Sequence, residues 1–195
     1  MQGFSQRLDA ALVFAARAHR KQVRKGSDIP YIIHPVQVSL ILQRHGFDED
    51  LAIAGLLHDT VEDTGASLDE IAAAFGDEVR ALVAAVTEAK TDDTGERRPW
   101  RVRKQEQLDH LAAAGARVAA LKAADALHNS ASTLADLHNS GPAIWRRFNA
   151  PVEDSLWYYG QVAALVRNHL GDHALARELE DTVAQMAALS ASAAP

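Results

Sequence analysis

Apolar residues recur at helical spacing along almost the whole chain, and this periodicity limits the fold more than any other feature. The spacing i, i+3, i+4, i+7, typical of an amphipathic helix, is formed by Val79, Leu82, Val83 and Val86. We find no convincing strand, no internal repeat and no domain linker. The sequence therefore predicts an all-α fold of about eight to ten helices. We expect a single domain over residues 1–189, followed by a frayed tail over residues 190–195.

Residues with known capping preferences mark several of the predicted helix ends. Preferred N-cap residues precede three predicted helices: Ser5, Asp48 and Ser67. Glu70 completes a capping-box pattern with the last of them. Pro35 suits the first turn of another helix, which is expected to stop at Gly46. Two polar segments, residues 24–30 and 90–99, interrupt the helices, and we interpret the second as a mobile loop.

Composition excludes several classes of protein. The chain of 195 residues is 48% hydrophobic and 24% charged, which allows a sizeable core. It contains no cysteine, so it has neither disulfides nor a thiolate zinc site. The N-terminus has no signal-peptide pattern and no apolar run reaches membrane-spanning length, so we expect a soluble cytoplasmic protein. The net charge of −6 argues against general nucleic-acid binding but allows a small anionic substrate.

Two imidazoles and two carboxylates stand out in three separate segments: His34, His58, Asp59 and Asp125. His58 and Asp125 continue the apolar stripes of their predicted helices, where an unpaired charge is costly. Taken singly, each has an ordinary explanation, either a neutral core histidine or an aspartate in an internal ion pair. Taken together, the mixed nitrogen and oxygen donors favour a divalent ion such as Mn²⁺ or Fe²⁺.

Two further carboxylates, Glu62 and Asp63, follow this pair in sequence. If the helix continued, they would lie one turn beyond His58 and Asp59, on the same face. There they could deprotonate a water or protonate a leaving group. The alternative is a solvated acidic helix end, although negative charge at a helix C-terminus is unfavourable.

Other polar residues are candidates for contact with a charged ligand. Arg24 and Lys25 precede His34 and could contact phosphate, although such pairs are usually solvated. Asn129 lies one turn beyond Asp125 and could meet a ligand near the metal. Five cations occur in the segment of residues 97–104. It is interpreted as a solvated helix start, a nucleic-acid patch or a phosphate-attracting rim.

The order of these residues resembles the HD-domain hydrolase module of the RelA/SpoT family. It resembles most the small alarmone hydrolases that consist of this module alone. The resemblance extends over about residues 4–170 and is carried by Ala18-His19, Gln22-Val23-Arg24-Lys25-Gly26, Pro30-Tyr31-Ile32-Ile33-His34-Pro35, His58-Asp59-x-x-Glu62-Asp63 and Lys122-x-x-Asp125-x-x-His128-Asn129.

The resemblance implies an activity and a role for each candidate residue. The implied reaction is hydrolysis of the 3′-pyrophosphate of ppGpp and pppGpp at one Mn²⁺ per active site. The implied metal ligands are His34, His58, Asp59 and Asp125, and the implied catalytic carboxylates are Glu62 and Asp63. The implied nucleotide contacts are Arg24, Lys25 and Asn129. The expected partner is a small anionic nucleotide, without nucleic acid or membrane, and homo-oligomer formation is left open.

Two other functions are compatible with the same residues. Some members of this family resemble phosphatases that remove the 2′-phosphate of NADPH, and other HD proteins hydrolyse other nucleotides. A non-catalytic nucleotide-binding regulator is the third interpretation. The six carboxylate and imidazole positions of the motif are all intact, which argues against the regulator.

Overall fold

Helices make up most of the computed structural model, which describes residues 5–191. The chain divides into two compact units between Ala89 and Lys90. The helices of the first unit are α1 (Gln6–Ala18), α2 (Ile33–Arg44), α3 (Glu49–Leu57), α4 (Thr60–Asp63), α5 (Leu68–Phe75) and α6 (Asp77–Val86). Those of the second are α7 (Trp100–Ala113), α8 (Ala116–Ser140), a 3₁₀ helix (Gly141–Arg147), α9 (Val152–Leu170) and α10 (Ala174–Ala191). The predicted all-α fold is confirmed.

The predicted N-caps hold the first turns of three helices in the first unit. Ser5 and Asp48 each accept a hydrogen bond from the backbone N–H three residues later. Ser67 and Glu70 form both halves of the predicted capping box. These contacts satisfy backbone donors that have no partner inside the helix, so the local sequence sets where α1, α3 and α5 begin.

The central helix of the first unit is α3, which packs against α1, α2 and α6. Every residue from Leu51 to Leu57 is buried, whereas the sequence predicted a single apolar stripe. A helix that is apolar on all sides belongs in a core. Helix α2 comes close at Gly55, where an added Cβ would lie 2.9 Å from Leu42 Cδ1 and 3.2 Å from the backbone N and Cα of Ser39.

The second unit is built around α8, which packs against α9, α10 and the 3₁₀ helix. Helix α7 packs on α9. The core of the second unit contains large buried side chains from α8, α9 and α10: Leu121, Leu127, Val162, Val166, Leu175 and Leu179. A smaller cluster of Leu137, Ile144 and Met186 anchors the 3₁₀ helix, which begins at Gly141 and has Pro142 in its first turn.

Two segments differ in detail from expectation. The predicted loop over residues 90–99 is closed by backbone hydrogen bonds, including Arg98 N–H to Lys90 O at 3.0 Å. Helix α10 continues to Ala191, so the first two residues of the predicted tail are helical and residues 192–195 lie outside the described part. Within residues 5–191, no helix has the length and apolarity needed to cross a membrane. The single-domain boundaries stay a prediction.

Candidate metal centre and its surroundings

Three of the four predicted metal ligands converge in the first unit. The Nε2 atoms of His34 and His58 are 3.2 Å apart. Asp59 Oδ2 lies 3.0 Å from His58 Nε2 and 3.5 Å from His34 Nε2. Both imidazoles are buried, while the Asp59 side chain is 17% exposed. The carboxylate is therefore the member of the cluster nearest to solvent.

Helix ends place these three side chains. His34 lies in the first turn of α2, and His58 and Asp59 form the junction between α3 and α4. The Nδ1 atom of His58 is 2.9 Å from the carbonyl oxygen of Gly55. Because a carbonyl can only accept, Nδ1 carries the proton and Nε2 turns its lone pair toward the cluster.

The donor set suits a divalent cation. Nitrogen and oxygen ligands lie about 2.0–2.2 Å from such an ion, so ligands in adjacent positions are about 3 Å apart. The separations in the cluster, 3.0, 3.2 and 3.5 Å, are close to this value. Imidazole nitrogens with a carboxylate oxygen suit Mn²⁺, Fe²⁺ or Zn²⁺ better than the harder Ca²⁺. The assignment of individual residues as ligands stays a prediction.

The third helix ends at Leu57, as predicted, so the chain does not continue as one helix through Glu62 and Asp63. Helix α3 ends at Leu57, and α4 begins at Thr60, whose hydroxyl donates to the carbonyl of Leu57 at 2.7 Å. Asp63 nevertheless stays one turn beyond Asp59, because its N–H donates to the Asp59 carbonyl at 2.9 Å.

The two predicted catalytic carboxylates are half-buried and have different neighbours. Glu62 Oε2 accepts a hydrogen bond from the backbone N–H of Glu88 at 3.0 Å. Asp63 Oδ2 accepts one from Gln22 Nε2, also at 3.0 Å. Each carboxylate is thus held by a residue distant in sequence, unlike a freely solvated helix end. Their catalytic role stays a prediction.

Tyr31 was quoted in the sequence motif without a role, and the structure shows what it contacts. Its hydroxyl donates to Asp59 Oδ2 at 2.5 Å. Its ring centroid lies 4.9 Å from that of His19 and 5.7 Å from that of His34. Tyr31 therefore orients the carboxylate of the cluster. The signal available in the sequence was its position three residues before His34, within the same motif.

Asp125, the fourth predicted ligand, lies on α8 in the second unit, and both of its oxygens accept hydrogen bonds. Lys122 Nζ donates to Oδ2 at 2.9 Å, and Asn129 Nδ2 donates to Oδ1 at 2.7 Å. Burial opposes the charge on Lys122, but the Asp125 carboxylate and the Tyr158 hydroxyl raise its pKa well above the usual value. This is the internal ion pair of the alternative interpretation. Metal ligation by Asp125 and nucleotide contact by Asn129 stay predictions.

Arg24 and Lys25 lie in an arch between α1 and α2 that is closed by antiparallel backbone hydrogen bonds. The Arg24 guanidinium is 5.7 Å from the centroid of the Tyr31 ring, within range of a cation–π contact. The Lys25 side chain is exposed. Arg24 therefore lies next to the ring of Tyr31, whose hydroxyl donates to Asp59. Contact of Arg24 or Lys25 with a nucleotide stays a prediction.

The basic segment of residues 97–104 makes contacts within the second unit. Arg98 pairs with Glu106. Arg101 pairs with Asp154 on α9 and lies 3.3 Å from the Trp157 ring centroid. The contacts of Arg101 tie the start of α7 to α9, and Arg98 and Arg101 both have ion-pair partners within the second unit. A phosphate-attracting rim is not needed to explain them.

Gly55→Ala is expected to disturb the cluster through α2. The new methyl group would press on the Ser39 backbone, and overpacking of this kind costs about 1–3 kcal/mol. Because α2 carries His34 and α3 ends at His58, affinity for a divalent ion should fall with stability. Urea unfolding and metal titration measure the two effects. Gly65→Ala is the control, because an added Cβ there has no atom within 4 Å. Equal stability of the two variants would contradict close packing at Gly55.

Comparison with known protein families agrees with this geometry. Residues 11–150 match the family model described as HD domain, and this span contains every predicted site residue. The chain belongs to the HD-domain family. The family membership implied by the sequence motifs is thereby confirmed.

Known HD-domain relatives cover nearly all of the chain. The human protein named guanosine-3′,5′-bis(diphosphate) 3′-pyrophosphohydrolase MESH1 is 39% identical over 182 residues, which are 92% of this chain and 91% of that protein. A Synechocystis protein named probable guanosine-3′,5′-bis(diphosphate) 3′-pyrophosphohydrolase is 34% identical over 88% of this chain and 21% of its own. A solved structure, described as a metazoan orthologue of SpoT that hydrolyses ppGpp, matches with a TM-score of 0.75 and 31% identity, covering 95% of this chain and 98% of that one.

Proposed function

We propose that this HD-domain protein hydrolyses the 3′-pyrophosphate of ppGpp and pppGpp, producing GDP or GTP and pyrophosphate in the cytoplasm. The observation that carries the proposal is the convergence of His34, His58 and Asp59, with Glu62 and Asp63 in the next helical turn. The relatives named as 3′-pyrophosphohydrolases support this choice of substrate.

The proposed cofactor is one Mn²⁺ per active site. The cluster of two imidazoles and a carboxylate contains no thiolate and suits an ion of intermediate hardness. When bound, the ion would supply a Lewis acid that polarises a phosphoryl oxygen and makes a water more acidic. Asp125 enters as the fourth ligand on the sequence resemblance alone.

The side chains around the cluster divide the remaining work. Tyr31 fixes the orientation of Asp59 through its hydroxyl. Glu62 and Asp63 act on the attacking water, and one of the two carboxylates accepts its proton. Water attacks the phosphorus attached to the ribose 3′ oxygen, and the bond between this phosphorus and the 3′ oxygen breaks. The same carboxyl group or a water returns a proton to the ribose oxygen, which becomes the free 3′ hydroxyl.

The deciding experiment compares substrates and metals on one preparation of protein. Protein stripped of metal is reloaded with Mn²⁺, Mg²⁺ or Zn²⁺ and incubated with ppGpp, pppGpp, NADPH and dNTPs, and the products are separated by chromatography. We expect pyrophosphate release from ppGpp, fastest with Mn²⁺. Equal or greater efficiency on NADPH would overturn the alarmone assignment and leave a metallohydrolase. Nucleotide binding without hydrolysis of any substrate would favour the non-catalytic regulator.

Arg24→Ala is expected to narrow the preference for ppGpp over NADPH as well as lower the rate. ppGpp carries two separated phosphate clusters. The loss of a cation should therefore weaken the binding of ppGpp more than that of the less highly charged NADPH. The measurement is the ratio of kcat/KM for ppGpp to kcat/KM for NADPH, at low and at high salt. Salt screens the attraction between Arg24 and phosphate, so high salt should lower this ratio in the wild type as well. Arg17→Ala, on α1 in the same unit, is the matched control. An unchanged ratio in Arg24→Ala would exclude Arg24 from substrate selection.

A further inference from the structure

A buried histidine and a glutamine lie behind one of the proposed catalytic carboxylates. His19 closes the C-terminal end of α1 and is 2% exposed. Its Nδ1 is 2.7 Å from Gln22 Oε1, and Gln22 Nε2 is 3.0 Å from Asp63 Oδ2. The three side chains therefore form a chain of hydrogen bonds that reaches from the core of the first unit to Asp63.

Chemistry fixes the direction of both hydrogen bonds. The Asp63 carboxylate only accepts, so the amide must face it with its NH₂ group, and a flipped amide would set two oxygens against each other. The amide oxygen then faces His19, which must carry its proton on Nδ1. The Nε2 atom of His19 is buried and has no hydrogen-bond partner in the described part of the chain. The uncharged amide of Gln22 can thus accept from His19 and donate to Asp63 at once.

The main chain of Gln22 is held as firmly as its side chain. Its N–H donates to His19 O at 2.9 Å, and its carbonyl accepts from Tyr31 N–H at 2.9 Å. The ring of His19 also packs on Tyr31, at 4.9 Å between centroids. One buried imidazole thus supports both donors, Gln22 to Asp63 and Tyr31 to Asp59.

We propose that Gln22, oriented by His19, is a positioning residue that holds Asp63 in its productive rotamer for the reaction. The inference rests on the proposed function, because it assigns Asp63 to the attacking water. Gln22 touches neither water nor substrate in this account. Its removal should therefore lower kcat while leaving KM and metal content unchanged.

A double-mutant cycle tests whether Gln22 acts through Asp63. Gln22→Met keeps the length of the side chain and removes the amide. We expect kcat to fall by about 10–100-fold, the loss that is typical when a hydrogen-bond partner of a metal ligand is removed. Adding Gln22→Met to Asp63→Asn should cost nothing further, since the group it positions is already inactive. Gln43→Met, on α2, is the matched control and should keep wild-type kcat. A full second loss in the double variant, or wild-type kcat in Gln22→Met, would overturn the inference.

Two further measurements separate positioning from loss of structure. His19→Asn places an amide nitrogen where Nδ1 stands and should recover part of the kcat that His19→Leu loses. Independently of activity, the side-chain amide resonances of Gln22 in the metal-free protein should shift in Asp63→Ala and stay in place in Asp69→Ala. Unshifted Gln22 resonances would show that the bond is absent. If the wild-type protein releases no pyrophosphate from ppGpp, the proposed function fails, whereas an active wild type with an active Gln22→Met variant refutes only this inference.

Discussion

His58→Gln is expected to lose the bound divalent ion and to lower kcat/KM by at least about 100-fold. Removing a residue that only hydrogen-bonds to a metal ligand already lowers metal affinity or activity by about 10–100-fold, and His58 is a proposed ligand itself. His58 Nε2 is the ligand atom closest to the other two members of the cluster. It lies 3.2 Å from His34 Nε2 and 3.0 Å from Asp59 Oδ2. Glutamine is chosen because it fills much of the same buried volume. Elemental analysis after dialysis against Mn²⁺ measures occupancy, and far-UV circular dichroism checks that the helices remain.

Controls decide whether the loss is specific to the cluster. His45→Gln changes an imidazole at the end of α2, and its metal content should equal that of the wild type. Asp125→Ala tests the fourth ligand predicted from the sequence, and we expect it to lose metal while remaining helical. Full metal occupancy in His58→Gln would remove the cluster from metal binding, and full occupancy in Asp125→Ala would remove Asp125 alone. Occupancy should also fall at acid pH, because imidazoles ligate only when neutral.

The sequence predicted well the features that depend on neighbouring residues. Caps at Ser5, Asp48 and Ser67 were correct because an N-cap bonds within its own first turn. The convergence of His34 with His58 was inferred from the set of nitrogen and oxygen donors taken together and from the resemblance, because no local rule connects two helices. The family membership followed from the order of the motifs.

The features that were missed depend on packing. The burial of α3 on every side reflects its contacts with α1, α2 and α6, and its sequence shows only that it is apolar. The partners of Asp63 and Glu62 are 41 and 26 residues away. No periodicity in the sequence brings such residues together.

Glu62→Gln and Asp63→Asn are each expected to lower kcat by about 100-fold or more with metal content retained, in line with the usual contribution of acid–base catalysis. The structure makes these substitutions informative. Glu62 accepts a hydrogen bond from Glu88 N–H, and Asp63 accepts one from Gln22 Nε2. An amide oxygen can accept the same bonds, so what is lost is the charge and the ability to exchange a proton.

The control and the pattern of loss distinguish catalysis from a general effect of charge. Asp69→Asn removes an exposed carboxylate from the first turn of α5 in the same unit and should leave kcat unchanged. If Glu62 and Asp63 act on the same water, the double variant should lose much less than the product of the two single losses, because groups that act as a unit are not additive. Near-normal kcat in both single variants would show that α4 ends in two structural carboxylates. The chemistry would then rest on the metal cluster alone.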